Sequence, residues 1–219
     1  MNARSETGTS FAVRRAAAAL VAALLTTAAG CGTNSAAPAA LDGTWPEQPG
    51  DYRAVHGEWT RHGVLRKYPV QVLEVFATFK APAWRAAHAH HSADVQGLTP
   101  VAREALLARE REASEGPYEV TLLVTTHDRR ENDFTKGERA AWQVALVDGD
   151  GNEISPTSIQ RDRRPRAVIK AEFPDYGDFA EAYVAHFPRE RELLGAEAKQ
   201  VMLRVSSTRG KVELIWQGS

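Results

Sequence analysis

The sequence predicts a mainly β fold: two antiparallel sheets packed as a sandwich, with a helical hairpin inserted. Three observations predict it. Apolar and polar residues alternate at the two-residue period of a strand in a series of short segments. Those segments are rich in β-branched and aromatic residues and are separated by Gly, Pro and Asp clusters. A single stretch after the first strand changes to an alanine-rich, helix-favouring texture.

The elements follow in chain order. PVQVLEVFATFK (69–80) reads as a strand, with Val70, Val72, Glu74, Phe76 and Thr78 opposite Gln71, Leu73, Val75, Ala77 and Phe79. PAWRAAHAHH (82–91) and TPVAREALLAREREASE (99–115) favour helix. Thr99 suits an N-cap with Pro100 at the first helical position. Leu98, Val101, Ala105 and Leu106 predict the apolar stripe of the second helix, and Gly116-Pro117 stops it. The hairpin insertion, about 82–115, is expected to cover an edge or an open end of the sandwich.

Six more strands are expected. YEVTLLVTT (118–126) is rich in β-branched residues. AWQVALV (141–147) puts Trp142, Val144 and Leu146 on one face, and RAVIKAEF (166–173) does so with Ile169, Ala171 and Phe173. EAYVAHF (181–187) aligns Tyr183, Ala185 and Phe187. QVMLRVS (200–206) aligns Val201, Leu203 and Val205, and KVELIWQ (211–217) aligns Val212, Leu214 and Trp216. That much half-apolar sheet must bury its faces, and two packed sheets do so. An immunoglobulin-like β-sandwich is the leading architecture, without the cysteine pair of antibody domains.

The chain of 219 residues is long enough for such a core, and its 43% hydrophobic and 25% charged residues are ordinary for a globular protein. A formal charge of −1 supplies no field that would draw it to nucleic acid. One cysteine excludes an internal disulfide.

That cysteine sits at a telling place. Arg14 and Arg15 precede AAAALVAALLTTAAG (16–30), an uncharged run too short for an ordinary membrane-spanning helix. A basic end, a short apolar run and small residues define a secretory signal, here 1–30. Ala28-Ala29-Gly30-Cys31 resembles the lipobox of bacterial lipoproteins, with alanine at Ala28 where leucine is most usual. The resemblance implies that the Cys31 thiol receives a diacylglycerol, that the signal is cut before it, and that the new amine is acylated, typically with palmitate. Several acyl chains on one residue anchor stably, where one binds marginally. Gly32, rather than the aspartate that retains enteric lipoproteins, favours the outer membrane if the cell is Gram-negative. The alanines after Arg14-Arg15 do not fit a twin-arginine signal. Residues 31–50 are expected to form the lipidated cysteine and a flexible tether, with Trp45 able to dock on the domain at 51–219.

Few segments suggest chemistry. VDGDGNEI (147–154) resembles a calcium loop, but Glu153 and Ile159 fall where glycine and glutamate are needed, so a hairpin turn is expected. His88 and His91 share a helical face and form the candidate metal pair, while His90 points elsewhere. His56 and His62 lack zinc-helix spacing and are expected at the surface. HDRRENDF (127–134) and QRDRRPR (160–166) are expected to be solvated loops; Arg129, Arg130, Glu131 and Asp133 of the first could make an anion site or a partner contact, and the second could touch anionic headgroups or an acidic partner. Nucleophile-elbow, Cys-x-x-Cys and phosphate-loop motifs are missing.

The function expected is a membrane-anchored lipoprotein whose sandwich is a non-catalytic binding or structural module of the cell envelope. Its partners are the membrane, through Cys31, and an envelope protein; no cofactor, catalytic residue or nucleic acid is implied. The alternatives are a metal-binding lipoprotein using His88 and His91, and a hydrolase with an unrecognised site.

Overall fold

A computed structural model describes residues 38–218; Cys31 and its signal lie outside the described residues. Strands β1 (Thr60–Lys67), β2 (Val70–Phe79), β3 (Tyr118–Thr126), β6 (Ser158–Arg161) and β7 (Glu181–Phe187) form one sheet in the order β1-β2-β3-β7-β6. Strands β4 (Gln143–Val147), β5 (Glu153–Ile154), β8 (Gln200–Ser207) and β9 (Gly210–Gln217) form the other, in the order β5-β4-β8-β9. Every pairing is antiparallel. The fold is therefore mainly antiparallel β in two sheets, with helices α1 (Tyr52–Trp59), α2 (Pro82–Val95), α3 (Pro100–Glu115) and α4 (Arg166–Glu172).

Alternation places the core. Leu73, Val75, Ala77 and Phe79 of β2 are at most 1% exposed, and their cross-strand partners Val120, Leu122 and Val124 are fully buried. The second sheet contributes Leu146, Leu203, Val205, Leu214 and Trp216 to the same apolar cluster. Each such side chain, fully buried, contributes about 1.5–3 kcal/mol. The Phe79 and Trp216 rings, one from each sheet, lie 5.7 Å apart. Closer still is β1 against β9: a Cβ on Gly63 would stand 2.4 Å from Val212 Cγ1 and 2.8 Å from Leu214 Cδ2. Arg61 Nε donates to the Ile215 carbonyl at 2.7 Å, and Trp216 Nε1 donates to the Trp59 carbonyl at 3.0 Å.

The hairpin of α2 and α3 forms where expected and is fastened where β2 ends and β3 begins. Ala86, Ala89 and Ala93 of α2 are buried, and their small side chains let α3 lie close. Arg85, 5% exposed, donates to Glu110 of α3 at 2.8 Å and to Glu119 of β3 at 2.7 Å. Lys80 meets the other Glu119 oxygen at 2.5 Å. Burial alone would raise the Glu119 carboxyl; Lys80 and Arg85 outweigh it and hold it at about 2, against an ordinary 4.5. The expected stripe on α3 is rotated. Val101 is 79% exposed, and Ala102, Leu106, Glu110 and Ala113 form the half-buried side, because Glu110 must reach Arg85.

Other expectations are corrected. Residues 166–172 are helix α4, not a strand. Ile169 and Phe173 are both fully buried, and their four-residue spacing fits a helix face as well as alternate strand positions; Ala171 is exposed. Strands β1 and β6 and helix α1 were not expected. Asp51 caps α1 by accepting from the Ala54 amide at 3.0 Å, and Gly57 sits inside it. The stretch assigned to the tether is packed from Ala39: Ala39 and Leu41 are buried, and the Leu41 carbonyl accepts from the Gly195 amide at 2.7 Å. The 147–154 segment is the expected hairpin, with Asp148 accepting from the Asp150 and Asn152 amides and Gly151 at φ +88°.

Two outcomes follow from this packing. Gly63→Ala is expected to cost about 1–3 kcal/mol in urea unfolding, because Val212 must move. Glu119→Gln is expected to cost about 3 kcal/mol at neutral pH, since it leaves the buried Lys80 without a carboxylate and Arg85 with Glu110 alone. The depressed carboxyl stabilises the fold above pH 4.5 and loses that contribution as pH falls towards 2, so the gap between wild type and variant should close over that window.

Candidate functional site

Helix spacing brings three of the sequence's seven histidines together. Tyr52 and His56 lie one turn apart on α1, and Trp84, His88 and His91 run along one side of α2. Phe173, at the end of α4, completes the group. Trp84 stacks on His88 at 4.8 Å and on Phe173 at 5.9 Å, while Tyr52 stacks on His91 at 4.7 Å. His56 tilts against Tyr52 at 5.6 Å and against Phe173 at 6.0 Å.

Hydrogen bonds fix the polar atoms. Trp84 Nε1 donates to His56 Nδ1 at 3.3 Å, which puts the imidazole proton on Nε2. That nitrogen faces Thr60 Oγ1 at 3.3 Å and Asp175 Oδ2 at 3.5 Å. In a Ser-His-Asp relay the acid holds Nδ1 and the nucleophile meets Nε2. Here the hydroxyl and the acid share Nε2, and the Thr60 hydroxyl also bonds Thr78 Oγ1 at 2.8 Å. His88 Nε2 lies 3.2 Å from Ser92 Oγ and 3.6 Å from Glu172 Oε1. Burial pushes the His88 imidazole down, against the opposing pull of Glu172. The Tyr52 hydroxyl donates to the Glu172 carbonyl, and burial together with Glu172 pushes its pKa up.

The expected metal pair therefore lands in an aromatic box. His91 stacks on Tyr52, and His88 is engaged by Trp84, Ser92 and Glu172. Among the described residues no three His, Cys, Asp or Glu side chains converge to hold a metal ion. His56 is 7% exposed rather than at the surface, because α1 turns it inward. His62 is half-buried: it stacks on Phe76 at 4.1 Å, and its Nε2 is 3.0 Å from Glu74 Oε1.

The charge runs are largely spent within the fold. Arg164 pairs with Asp162 at 2.7 Å and with Glu172, and Arg161 pairs with Glu181 at 2.8 Å. Asp128 accepts from the Arg130 amide and Asp133 from the Ala141 amide, while Glu131 pairs with Arg209. Trp45 docks as anticipated, half-buried, with the Arg111 guanidinium 5.3 Å from its ring centre. Sequence reasoning missed a cleft of about 510 Å³ at one end of the first sheet. Its lining draws on β2, the end of β3, the 127–132 turn, Arg161, Arg166 and residues 178–181, so no short motif announces it.

No protein-family model, curated protein or solved structure matches the chain. For the aromatic box, calorimetric titration with zinc is expected to show no site tighter than about 10 μM, and His88→Ala should leave the trace unchanged.

Proposed function

We propose that the chain is a bacterial lipoprotein, anchored through lipidated Cys31, whose two-sheet domain is a non-catalytic binding or structural module of the cell envelope. The observation that carries this is the uncharged run from Ala16 to Gly30, which follows Arg14-Arg15 and ends on small residues before the only cysteine. The order of the packed segment adds support: Ala39 is buried eight residues after Cys31, a stretch that reaches at most about 28 Å. Such a tether keeps the domain beside the bilayer, and no described helix is long and apolar enough to cross a membrane. Gly32 favours the outer membrane in a Gram-negative cell.

An immunoglobulin-like architecture is proposed with it, at the level of layers. Two antiparallel sheets sharing one apolar cluster support that grouping. The strand order differs: the first sheet opens with β1, β2 and β3 side by side, where immunoglobulin domains order theirs A-B-E-D.

Intact-mass analysis of the membrane-extracted protein tests the anchor. The expected species begins at Cys31 and carries acyl mass, and Cys31→Ser should abolish that mass. A free thiol, or a leader still attached to the wild-type chain, would overturn the proposal.

A further inference from the structure

The cleft at the end of the first sheet is lined by Arg129, Arg161, Arg166, Asp178, Phe179 and Glu181, among others. Its charges are unevenly matched. Glu181 holds Arg161 at 2.8 Å, and Asp178 lies 3.8 Å from Lys170. Among the described residues Arg166 meets only neutral groups. It donates to the carbonyls of Gly177 and Asp178 at 2.9 Å and of Ala180 at 3.3 Å, and to the Tyr176 hydroxyl at 3.1 Å. Its guanidinium stands 4.5 Å from the centre of the Tyr176 ring. Arg129 rests 5.7 Å from the centre of the Phe179 ring and has no carboxylate partner among the described residues. Three cations face two carboxylates, and the excess charge falls on Arg129 and Arg166.

Phe179 is 72% exposed. The three carbonyls that Arg166 grips belong to Gly177, Asp178 and Ala180, on either side of that ring. The loop is thereby held in the shape that displays Phe179 to water at the mouth of a cationic cleft. A fixed aromatic face next to an arginine with an open donor fork matches a ligand that is apolar at one end and anionic at the other. A volume of about 510 Å³ is the size of a small-molecule site.

We infer that this cleft binds a singly charged oxyanion attached to an apolar or aromatic body. Arg129 takes the oxyanion, Arg166 adds positive charge and sets the loop, and Phe179 packs against the body. The inference rests on the reading of the domain as a binding module and is independent of the anchor. Its failure would leave the mass analysis of Cys31 untouched.

Ligand-observed NMR titration of the purified full chain tests it, with 3-phenylpropionate, acetate and dioctanoyl phosphatidylglycerol as probes. The expected dissociation constant for 3-phenylpropionate is about 1 mM, with acetate at least about tenfold weaker. Arg129→Gln should weaken 3-phenylpropionate about tenfold, and Phe179→Ala should remove its advantage over acetate. Both side chains are exposed, so an unchanged melting temperature certifies each variant as folded. Phosphatidylglycerol binding that Arg129→Gln abolishes identifies a lipid headgroup as the source of the anion. Binding of 3-phenylpropionate alone identifies a soluble acid, and either result supports the site. No probe bound below about 10 mM, or affinities that neither variant alters, would overturn it.

Discussion

The five-stranded sheet carries apolar side chains to be buried on both faces, and the rest of the molecule is arranged around that requirement. One face of β2 presents Leu73, Val75, Ala77 and Phe79 to the second sheet. The other face is closed in part: Val72, Thr78, Thr121, Leu123 and Ala182 are all 3% exposed or less, while Glu74, Phe76, Val184 and His186 are half-buried. A second apolar layer on that side comes from Trp84, Ile169 and Phe173, which is why helices from three separate stretches of chain gather there. Two hydroxyls on this face, those of Thr60 and Thr78, satisfy each other. The cleft lies at one end of this sheet, beyond the part that the helices cover.

Arginine does much of the fastening. Arg61 ties β1 to the carbonyl of Ile215, Arg85 joins α2 to α3 and β3, and Arg164 links Asp162 to Glu172. Each uses the planar fork of the guanidinium, which can satisfy several acceptors in fixed directions and which lysine cannot copy. Buried ions are costly unless fully paired, so the buried sites at Arg61 and Arg85 add more to the choice of one arrangement than to net stability. The same residue type also reaches the surface at Arg129 and Arg166, where no carboxylate among the described residues pairs with it.

Legibility in the sequence followed from whether a segment's neighbours were implied by its own pattern. Strands β4, β7, β8 and β9 alternate because each has one apolar side, β2 and β3 were marked by their β-branched and aromatic content, and the helical hairpin by Thr99, Pro100 and its alanines. Strand β1 was hidden because Arg61, His62 and Gly63 look like loop residues until β9 and β2 are placed beside them. Ile169 and Phe173 satisfy two periods at once, and Pro165 just ahead of α4 was the only local hint of a helix start. The histidine spacing on α2 was read correctly as a shared face. Its occupant is Tyr52, thirty-six positions before His88, and nothing in the spacing pointed to an aromatic partner. The cleft was invisible because its lining comes from dispersed segments, and the basic run at 160–166 divides in space: Arg164 pairs with Asp162 and Glu172 while Arg161 and Arg166 line the opening.

The segment from Ala39 to Trp45 has a mechanical meaning. Leu41 is seated in the core, its carbonyl receives the Gly195 amide, and Trp45 lies under Arg111 on the far helix of the hairpin. Any pull entering from the N-terminal side is resisted first by these grips rather than by the strands. Residue 50 is therefore no loose joint: the 39–45 segment is clamped to the 193–195 turn and to α3.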